Sequence, residues 1–295
     1  MAALDVPRSV HRYVEVDGLR IFYRETGTPG APTMLLLHGF PSASHQFRRL
    51  IDALGRRYRL IAPDYPGFGY SDAPDSTSTG GGFSYTFERL ADVIEGFCEQ
   101  LELSRFVAYV FDFGGPVGMR LAARHPEWIA GLVVQNANAY EEGLSEMARG
   151  LANLRGIVDG DADKVRTALT LAATRGQYLK GVSDPDAIAP DGWTLDQHFL
   201  DLPGRKQVQV DLAFDYHTNI ARYPQWQAWL REHQPPTLVL WGREDPFFVE
   251  AGAHAYRRDL PDAELRLFDT GHFALEENLP EMAGLIAGFL DRTWH

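Results

Sequence analysis

The sequence predicts an α/β fold, in which a mostly parallel sheet is flanked by helices and interrupted by a helical insertion. Short apolar strand patterns alternate with amphipathic helical patterns up to about residue 138 and again from about residue 236. Only helical or irregular patterns occur from 139 to 235. We therefore assign residues 1–138 and 236–295 to a core domain and residues 139–235 to a helical cap (lid) domain. Such a cap would lie at the carboxyl edge of the sheet, where ligands bind.

The strands are predicted from short apolar or alternating runs that are bounded by turn residues. Asp17-Gly18 separates the first two runs and is a typical hairpin sequence. Several later runs are continuously apolar, as expected of strands buried on both faces. The predicted strands are residues 12–16, 19–24, 34–37, 60–62, 106–111, 129–134, 237–240 and 265–268.

The helices are predicted from apolar residues that recur at helical spacing. One helix is expected near residues 44–55 and another near residues 87–97. Pro116 is expected to open a further helix, because a missing N–H costs nothing in the first turn. Apolar stripes are formed by Val165, Ala168, Leu169 and Ala172 in the insertion and by Met282, Leu285, Ile286 and Phe289 near the C-terminus.

Composition and charge limit the functions that are open to the chain. The 40 acidic residues exceed the 28 Lys and Arg, and the net charge of -12 makes nucleic acids and anionic membranes poor partners. Cys98 is the single cysteine, which excludes an intramolecular disulfide and favours a cytoplasmic location. Residues 1–8 lack the pattern of a signal peptide, and no run reaches the ~18 apolar residues of a membrane span. No metal-ligand or phosphate-binding motif occurs, so no cofactor is expected.

A turn between a strand and a helix contains an aspartate with catalytic potential. Residues 110–115 read Val-Phe-Asp-Phe-Gly-Gly and run from an apolar strand directly into a helix, as in a nucleophile elbow. Asp112 occupies the position that usually holds serine, and the positive end of the helix dipole favours its ionised form. Considered alone, Asp112 would more often be a helix N-cap, so the assignment depends on the rest of the chain.

Three further features follow predicted strand ends in the order of a catalytic triad. Residues 38–41, His-Gly-Phe-Pro, follow the third strand, where the backbone N–H of Phe40 can contribute to an oxyanion hole. Asp245 follows the next-to-last strand and His272 follows the last. Each feature alone also fits an ordinary turn, but together they converge on one edge of the sheet. The alternatives to Asp245 as the acid are Glu244 and Glu141.

With these motifs the sequence resembles the α/β-hydrolase superfamily, and within it the aspartate-nucleophile branch of epoxide hydrolases and haloalkane dehalogenases. The resemblance extends over residues 12–290 and includes residues 62–72, Ala-Pro-Asp-Tyr-Pro-Gly-Phe-Gly-Tyr-Ser-Asp. It implies an α/β-hydrolase fold with a mostly parallel eight-stranded sheet and an inserted cap. It also implies an oxyanion hole formed by the N–H groups of Phe40 and Phe113. Val110 departs from the family pattern, which has a small residue two positions before the nucleophile.

An aspartate nucleophile restricts the reaction class. A serine that attacked saturated carbon would form an ether, whereas an aspartate forms an ester that water can cleave. Asp112 would displace the leaving group, and His272 would deprotonate the water that cleaves the ester. Asp245 would orient and stabilise the imidazole. The expected partners are a small apolar organic substrate and water. A homodimer is compatible with the sequence, since homodimers are the commonest soluble oligomers, but no feature requires one.

The resemblance favours an epoxide, opened to a vicinal diol, as the substrate. The related epoxide hydrolases protonate the opened ring with cap tyrosines, whose weak acidity suits that task. Residues 215–219, Asp-Tyr-His-Thr-Asn, are similar to the family's Tyr-basic-Asn segment, so Tyr216 is the expected donor. Tyr178 is the candidate for the second donor. The His-Gly-Phe-Pro motif also matches this branch, with Pro41 a candidate for a cis peptide bond.

Two other functions remain open. Haloalkane dehalogenases supply a Trp after the nucleophile and often an Asn after the His-Gly pair, but this chain has Phe113 and Phe40 there. Fluoroacetate dehalogenases place Arg residues after the nucleophile and a His-Trp pair in the cap, and this chain has neither. A haloalkane or haloacid dehalogenase would need other halide donors, such as Trp193 or Trp226.

The second alternative is a non-catalytic protein that binds a small ligand in the same pocket. Aromatic residues that could line such a pocket, or simply pack in the core, are Trp193, Phe199 and Trp226.

Overall fold

An eight-stranded sheet forms the centre of the computed structural model, which describes residues 9–294. Residues 1–8, where we expected no signal peptide, lie outside the described residues, as does residue 295. The strands are β1 (Val10–Val16), β2 (Leu19–Thr26), β3 (Thr33–Leu37), β4 (Arg59–Pro63), β5 (Phe106–Phe111), β6 (Ile129–Gln135), β7 (Thr237–Gly242) and β8 (Glu264–Phe268). Their order in the sheet is β1-β2-β4-β3-β5-β6-β7-β8. Only the pairs β1–β2 and β2–β4 are antiparallel in the described sheet.

The first two strands form the predicted hairpin, and its two turn residues have the required backbone geometry. Asp17 has φ 49° and Gly18 has φ 75°, so both are left-handed, as a tight two-residue hairpin turn demands. The predicted mostly parallel sheet of eight strands is thereby confirmed, and every predicted strand is present within one or two residues of its expected bounds.

Helices cover both faces of the sheet, and the alternation of side chains along each strand divides the core into two layers. On β3, Leu35 and Leu37 face one layer, whereas Met34 and Leu36 face the other. The helices of the sheet domain are α1 (Arg48–Leu54), α2 (Phe87–Gln100), α3 (Gly114–Arg124), α10 (Glu250–Asp259) and α11 (Ala274–Thr293). Because α2, α3 and α10 belong to the first layer and α1 and α11 to the second, the sheet is buried on both sides.

Six further helices lie between β6 and β7 in the described chain, where the sequence predicted an insertion. They are α4 (Glu146–Ala152), α5 (Asp161–Thr167), α6 (Leu171–Leu179), α7 (Asp191–Leu200), α8 (Arg205–Asp215) and α9 (His217–His233). The division into a core domain and a cap domain stays a prediction. Among the residues described here, no helix is long and apolar enough to cross a bilayer.

Two predicted helix details differ from the structure. The stripe from Val165 to Ala172 is divided between α5 and α6, because the side chain of Thr170 accepts the Ala173 N–H and caps a new helix there. The helix after the candidate nucleophile begins at Gly114 rather than at Pro116. Pro116 still lies in the first turn, where its missing N–H would have no helical partner.

Candidate active site

The candidate nucleophile lies at the apex of a tight turn between β5 and α3. Asp112 has φ 48°, a left-handed conformation that is uncommon for a residue with a side chain. The backbone at Gly39 packs directly against the Asp112 side chain and leaves no room for a side chain of its own. A Cβ added to Gly39 would lie 2.4 Å from the Asp112 Cβ. Val110 is accommodated by Gly118 on α3, where an added Cβ would lie 2.5 Å from the Val110 Cγ1. The larger residue at position 110 is therefore matched by a glycine on the helix that packs against it.

The two carboxylate oxygens of Asp112 have different surroundings. Oδ1 accepts a 2.7 Å hydrogen bond from the Phe40 N–H, and the Phe113 N–H also bonds the carboxylate. Oδ2 lies 3.8 Å from Nε2 of His272. Both predicted oxyanion donors thus bond the carboxylate, with the Phe40 N–H at Oδ1, while Oδ2 faces the imidazole. The Phe40–Pro41 peptide bond is cis, as the sequence resemblance suggested.

His272 is held between two carboxylates at the sheet edge. Its Nδ1 lies 2.6 Å from Oδ2 of Asp245, and both side chains are buried. The other oxygen of Asp245 accepts the backbone N–H groups of Phe247 at 2.7 Å and Phe248 at 3.1 Å. These bonds fix the carboxylate, so its partner Nδ1 carries a proton and Nε2 points toward Asp112.

Asn136 completes this arrangement and was missed by the sequence analysis. It directly follows β6, has φ 40°, and donates its side-chain N–H to Oδ2 of Asp245 at 2.8 Å. Its side-chain oxygen accepts the Gly242 N–H at 3.0 Å, which ties the end of β6 to the end of β7. Its position just past a strand end was the only sequence signal. The alternative acids Glu244 and Glu141 are both exposed, and neither bonds His272 in the described structure.

Burial and charge shift the pKa values of the nucleophile and the base in the same direction. Burial raises the pKa of Asp112 to about 6, although the charge of His272 and the N–H groups of Phe40 and Phe113 counteract it. Burial lowers the pKa of His272, but the charge and hydrogen bond of Asp245, together with the charge of Asp112, raise it overall. Near neutral pH Asp112 is therefore ionised, as a nucleophile must be.

A cavity of about 360 Å³ opens onto Asp112 and His272. Its wall is mainly apolar, formed by residues of the sheet edge and of the inserted helices. The apolar lining includes Phe40, Phe113, Met147, Ala148, Leu151, Ala152, Val165, Ala168, Leu169, Ala173, Ala213, Pro246, Phe247 and Phe248. Six lining residues carry polar or charged groups: Asp112, Gln177, Lys180, Gln209, Tyr216 and His272. A cavity of this size and character suits a small organic molecule.

Tyr216 lines this cavity and has the only hydroxyl among the described lining side chains. Its hydroxyl donates to that of Tyr223, which also accepts a 3.3 Å bond from Asn138. Burial, the hydrogen bond to Tyr223 and the charge of Asp112 raise the pKa of Tyr216 well above its ordinary value. Tyr216 is therefore a neutral hydrogen-bond donor near the candidate nucleophile at neutral pH.

Tyr178 does not share this position, which corrects its prediction as a second proton donor. It is 1% exposed, stacks on Phe273 with ring centres 3.9 Å apart, and is absent from the described cavity lining. Its hydroxyl donates to Oδ2 of Asp196 at 2.6 Å, and the other oxygen of Asp196 lies 2.8 Å from Nε2 of His45. This buried cluster joins the insertion to the loop after β3. We therefore remove Tyr178 from the candidate site.

The aromatic residues that could have lined a pocket pack elsewhere. Trp193 contacts Tyr178, Phe199 contacts Tyr70, and Trp226 is fully buried against Tyr223. None of the three lines the described cavity, whose aromatic wall comes from the loops that follow strands and from Tyr216. No group of three or more His, Cys, Asp or Glu among the described residues could hold a metal ion.

Comparisons with known proteins agree with this fold. The family model for the alpha/beta hydrolase fold matches residues 32–279. An uncharacterized hydrolase of Saccharomyces cerevisiae is 39% identical over 278 residues, which cover 92% of this chain and 94% of that protein. The crystal structure of the haloalkane dehalogenase DbeA from Bradyrhizobium elkani matches with a TM-score of 0.79 and 22% identity, over 97% of this chain and 99% of that one. The epoxide hydrolase CorEH matches with a TM-score of 0.76 and 18% identity, over 97% and 99% of the two chains. The last two likenesses concern the fold alone, but with the first two they show that this chain belongs to the α/β-hydrolase fold family.

Proposed function

We propose that this protein is an epoxide hydrolase that forms an ester between Asp112 and a saturated carbon of its substrate. The proposal rests on one observation above all: a carboxylate, not a hydroxyl, lies at the turn between β5 and α3 and faces the His272–Asp245 pair. A carboxylate that attacks saturated carbon gives an ester, and water can cleave this ester with the help of a base. The arrangement therefore suits C–O bond cleavage at saturated carbon.

In the first step, Oδ2 of Asp112 attacks a ring carbon, and the electron pair of the breaking C–O bond passes to the ring oxygen. Oδ1 is already engaged by the Phe40 N–H, which leaves Oδ2 as the attacking atom. The resulting alkoxide takes the proton of the Tyr216 hydroxyl, because an alkoxide is a stronger base than a phenolate. The product of this step is a hydroxyalkyl ester of Asp112 and a Tyr216 phenolate.

In the second step, His272 removes a proton from water through Nε2, and the hydroxide attacks the Asp112 Cγ. The N–H groups of Phe40 and Phe113 stabilise the oxyanion, and each such donor contributes on the order of 3 kcal/mol in comparable hydrolases. The imidazolium then protonates the departing diol oxygen. The carboxylic acid that is left returns its proton to the Tyr216 phenolate, so water is consumed and no proton is gained or lost.

The composition of the cavity wall favours an epoxide over a halide. The halide donors of haloalkane dehalogenases, a Trp and often an Asn, have no counterpart in the described lining, where the side-chain N–H donors besides His272 are Gln177, Gln209 and Lys180. Both Trp193 and Trp226, the candidate halide donors, lie outside that lining. An epoxide oxygen needs a proton donor, which Tyr216 supplies. A non-catalytic binding protein would gain nothing from a buried carboxylate whose pKa is raised to about 6.

The test is to trap the ester. Replacing His272→Gln should leave the first step intact and stop the second, so that an epoxide adds its full mass to the peptide containing Asp112. His254→Gln is the matched control, because His254 is exposed on α10 and pairs with Glu250; this variant should turn over without labelling. The panel also includes matched haloalkanes. If only the haloalkanes label Asp112, and they release halide as they do so, the protein is a dehalogenase. Absence of any label from the whole panel would refute the proposed function.

A further inference from the structure

Two buried polar side chains of the cavity wall have no role in the proposed reaction. Gln177 on α6 and Gln209 on α8 both line the cavity and are 6% and 3% exposed. Neither side-chain amide has a hydrogen-bond partner among the described residues, and the Gln209 carbonyl oxygen is fully buried. Buried amides are nearly always paired, so two unpaired amides in one apolar wall require an explanation.

A fully apolar substrate would bury these two amides without giving them hydrogen-bond partners. An apolar ligand expels the water that can bond to those amide atoms that reach the cavity, and it offers nothing in exchange. A ligand with its own polar group restores the lost bonds. Sites with unpaired polar groups of this kind discriminate strongly against analogues that lack the matching group.

We propose that the substrate carries a neutral oxygen group, a hydroxyl or a carbonyl, which hydrogen-bonds to Gln177 and Gln209. The inference rests on the proposed function for the identity of the reacting ring. It narrows the substrate class to epoxides with a second oxygen function attached to an otherwise apolar skeleton.

The charges around the cavity argue for a neutral group rather than a carboxylate. Lys180 also lines the cavity, but the residue is exposed and is therefore not a buried cation. The two glutamines are uncharged, and the wall around them is apolar. A buried carboxylate there would lose its hydration without a buried cation to replace it, which is costlier than burying a hydroxyl or a carbonyl.

The test compares matched substrates in matched variants. A series of epoxides with one carbon chain ends in methyl, hydroxyl, methyl ketone or carboxylate, and kcat and KM are measured for each. Gln177→Met and Gln209→Met remove the amides at nearly constant length. Gln225→Met is the control, because Gln225 is an exposed amide on α9 that accepts a hydrogen bond from Arg222 and lies outside the described cavity lining.

We expect the wild-type protein and the Gln225 variant to prefer the hydroxyl and ketone substrates through a lower KM. Each cavity variant should raise KM for these substrates by roughly tenfold and leave or lower KM for the methyl substrate. Thermal unfolding should show the cavity variants to be at least as stable as wild type, because an unpaired buried amide has been removed. An amide with a purely structural role would instead lower stability and affect all substrates alike.

Two outcomes would overturn the inference while leaving the proposed function intact. In the first outcome, wild type shows no preference for oxygenated epoxides, or both cavity variants keep the preference of wild type unchanged. The other is a preference for the carboxylate substrate that disappears in Lys180→Met. Failure of the proposed function is distinguishable from both, since no epoxide would then label Asp112 in the His272→Gln variant.

Discussion

Replacing Asp112→Asn should stabilise the protein, and the gain should depend on pH. Folding raises the pKa of this carboxyl from 3.8 to about 6, mainly through burial. The native state thus holds the proton more tightly than the unfolded chain, so the ionised carboxylate destabilises the native state. This penalty is absent below pH 3.8, the pKa of the carboxyl in the unfolded chain. It grows as the pH rises and is complete above about pH 6, the pKa of the carboxyl in the folded protein.

The magnitude follows from the shift of about two pKa units, each worth about 1.4 kcal/mol, which gives about 3 kcal/mol above neutral pH. At about pH 5 roughly half of this gain should remain. Asparagine keeps an oxygen that can accept the Phe40 N–H, so the comparison isolates the charge. Asp163→Asn is the control, because that side chain is 81% exposed and should show no comparable trend.

Urea unfolding of both variants and wild type, from about pH 5 to about pH 9, measures the free energy of unfolding. The same substitution in a His272→Gln background removes the opposite charge that counteracts the raised pKa of Asp112. The gain there should be at least as large. The reasoning would be refuted if the Asp112→Asn variant were less stable than wild type above neutral pH, or if it were stabilised equally at every pH. Either result would mean that burial does not raise the pKa of the Asp112 carboxyl.

Three further substitutions test individual side chains. Tyr216→Phe should slow ester formation by about 10²-fold or more without changing ester hydrolysis, measured by single-turnover kinetics; an unchanged rate would remove it as the proton donor. Asn136→Ala should lower both kcat and stability, the latter by about 1–3 kcal/mol, because Asp245 loses a bond and a buried N–H is left unpaired. Tyr178→Phe should lower stability in urea by a comparable amount through its lost bond to Asp196, while the rate of ester formation stays the same; a large rate loss would return Tyr178 to the site.

The sheet and the candidate triad could be predicted because the carboxyl ends of parallel strands converge on one edge. Asp112, Asp245 and His272 each follow a strand directly, so their positions along the chain largely determine their positions in space. The same rule applied to Asn136, which also follows a strand. We missed it because an amide has no catalytic signature until its contact with Asp245 is seen.

The residues of the inserted helices that line the cavity were harder to predict, because an apolar stripe does not determine how a helix is rotated against its neighbours. Gln177 and Tyr178 are adjacent on α6, and successive residues on a helix point about 100° apart. The segment that contains Tyr178 does reach the cavity, but Gln177 is the residue that lines it, while Tyr178 packs on Phe273. No local pattern predicted Gln209, whose place in the wall depends on how α8 packs.

The charge of Asp112 also links the two proposed steps. In the free protein the carboxylate must be ionised to attack, and its charge is among the causes that raise the pKa of His272. Ester formation removes that charge 3.8 Å from Nε2, so the pKa of His272 falls when the base is needed. Neutral imidazole then becomes more populated and can deprotonate water. The charge of Asp112 thus raises the pKa of His272 only until the ester forms, and afterwards Nε2 is more readily the neutral base that the second step requires.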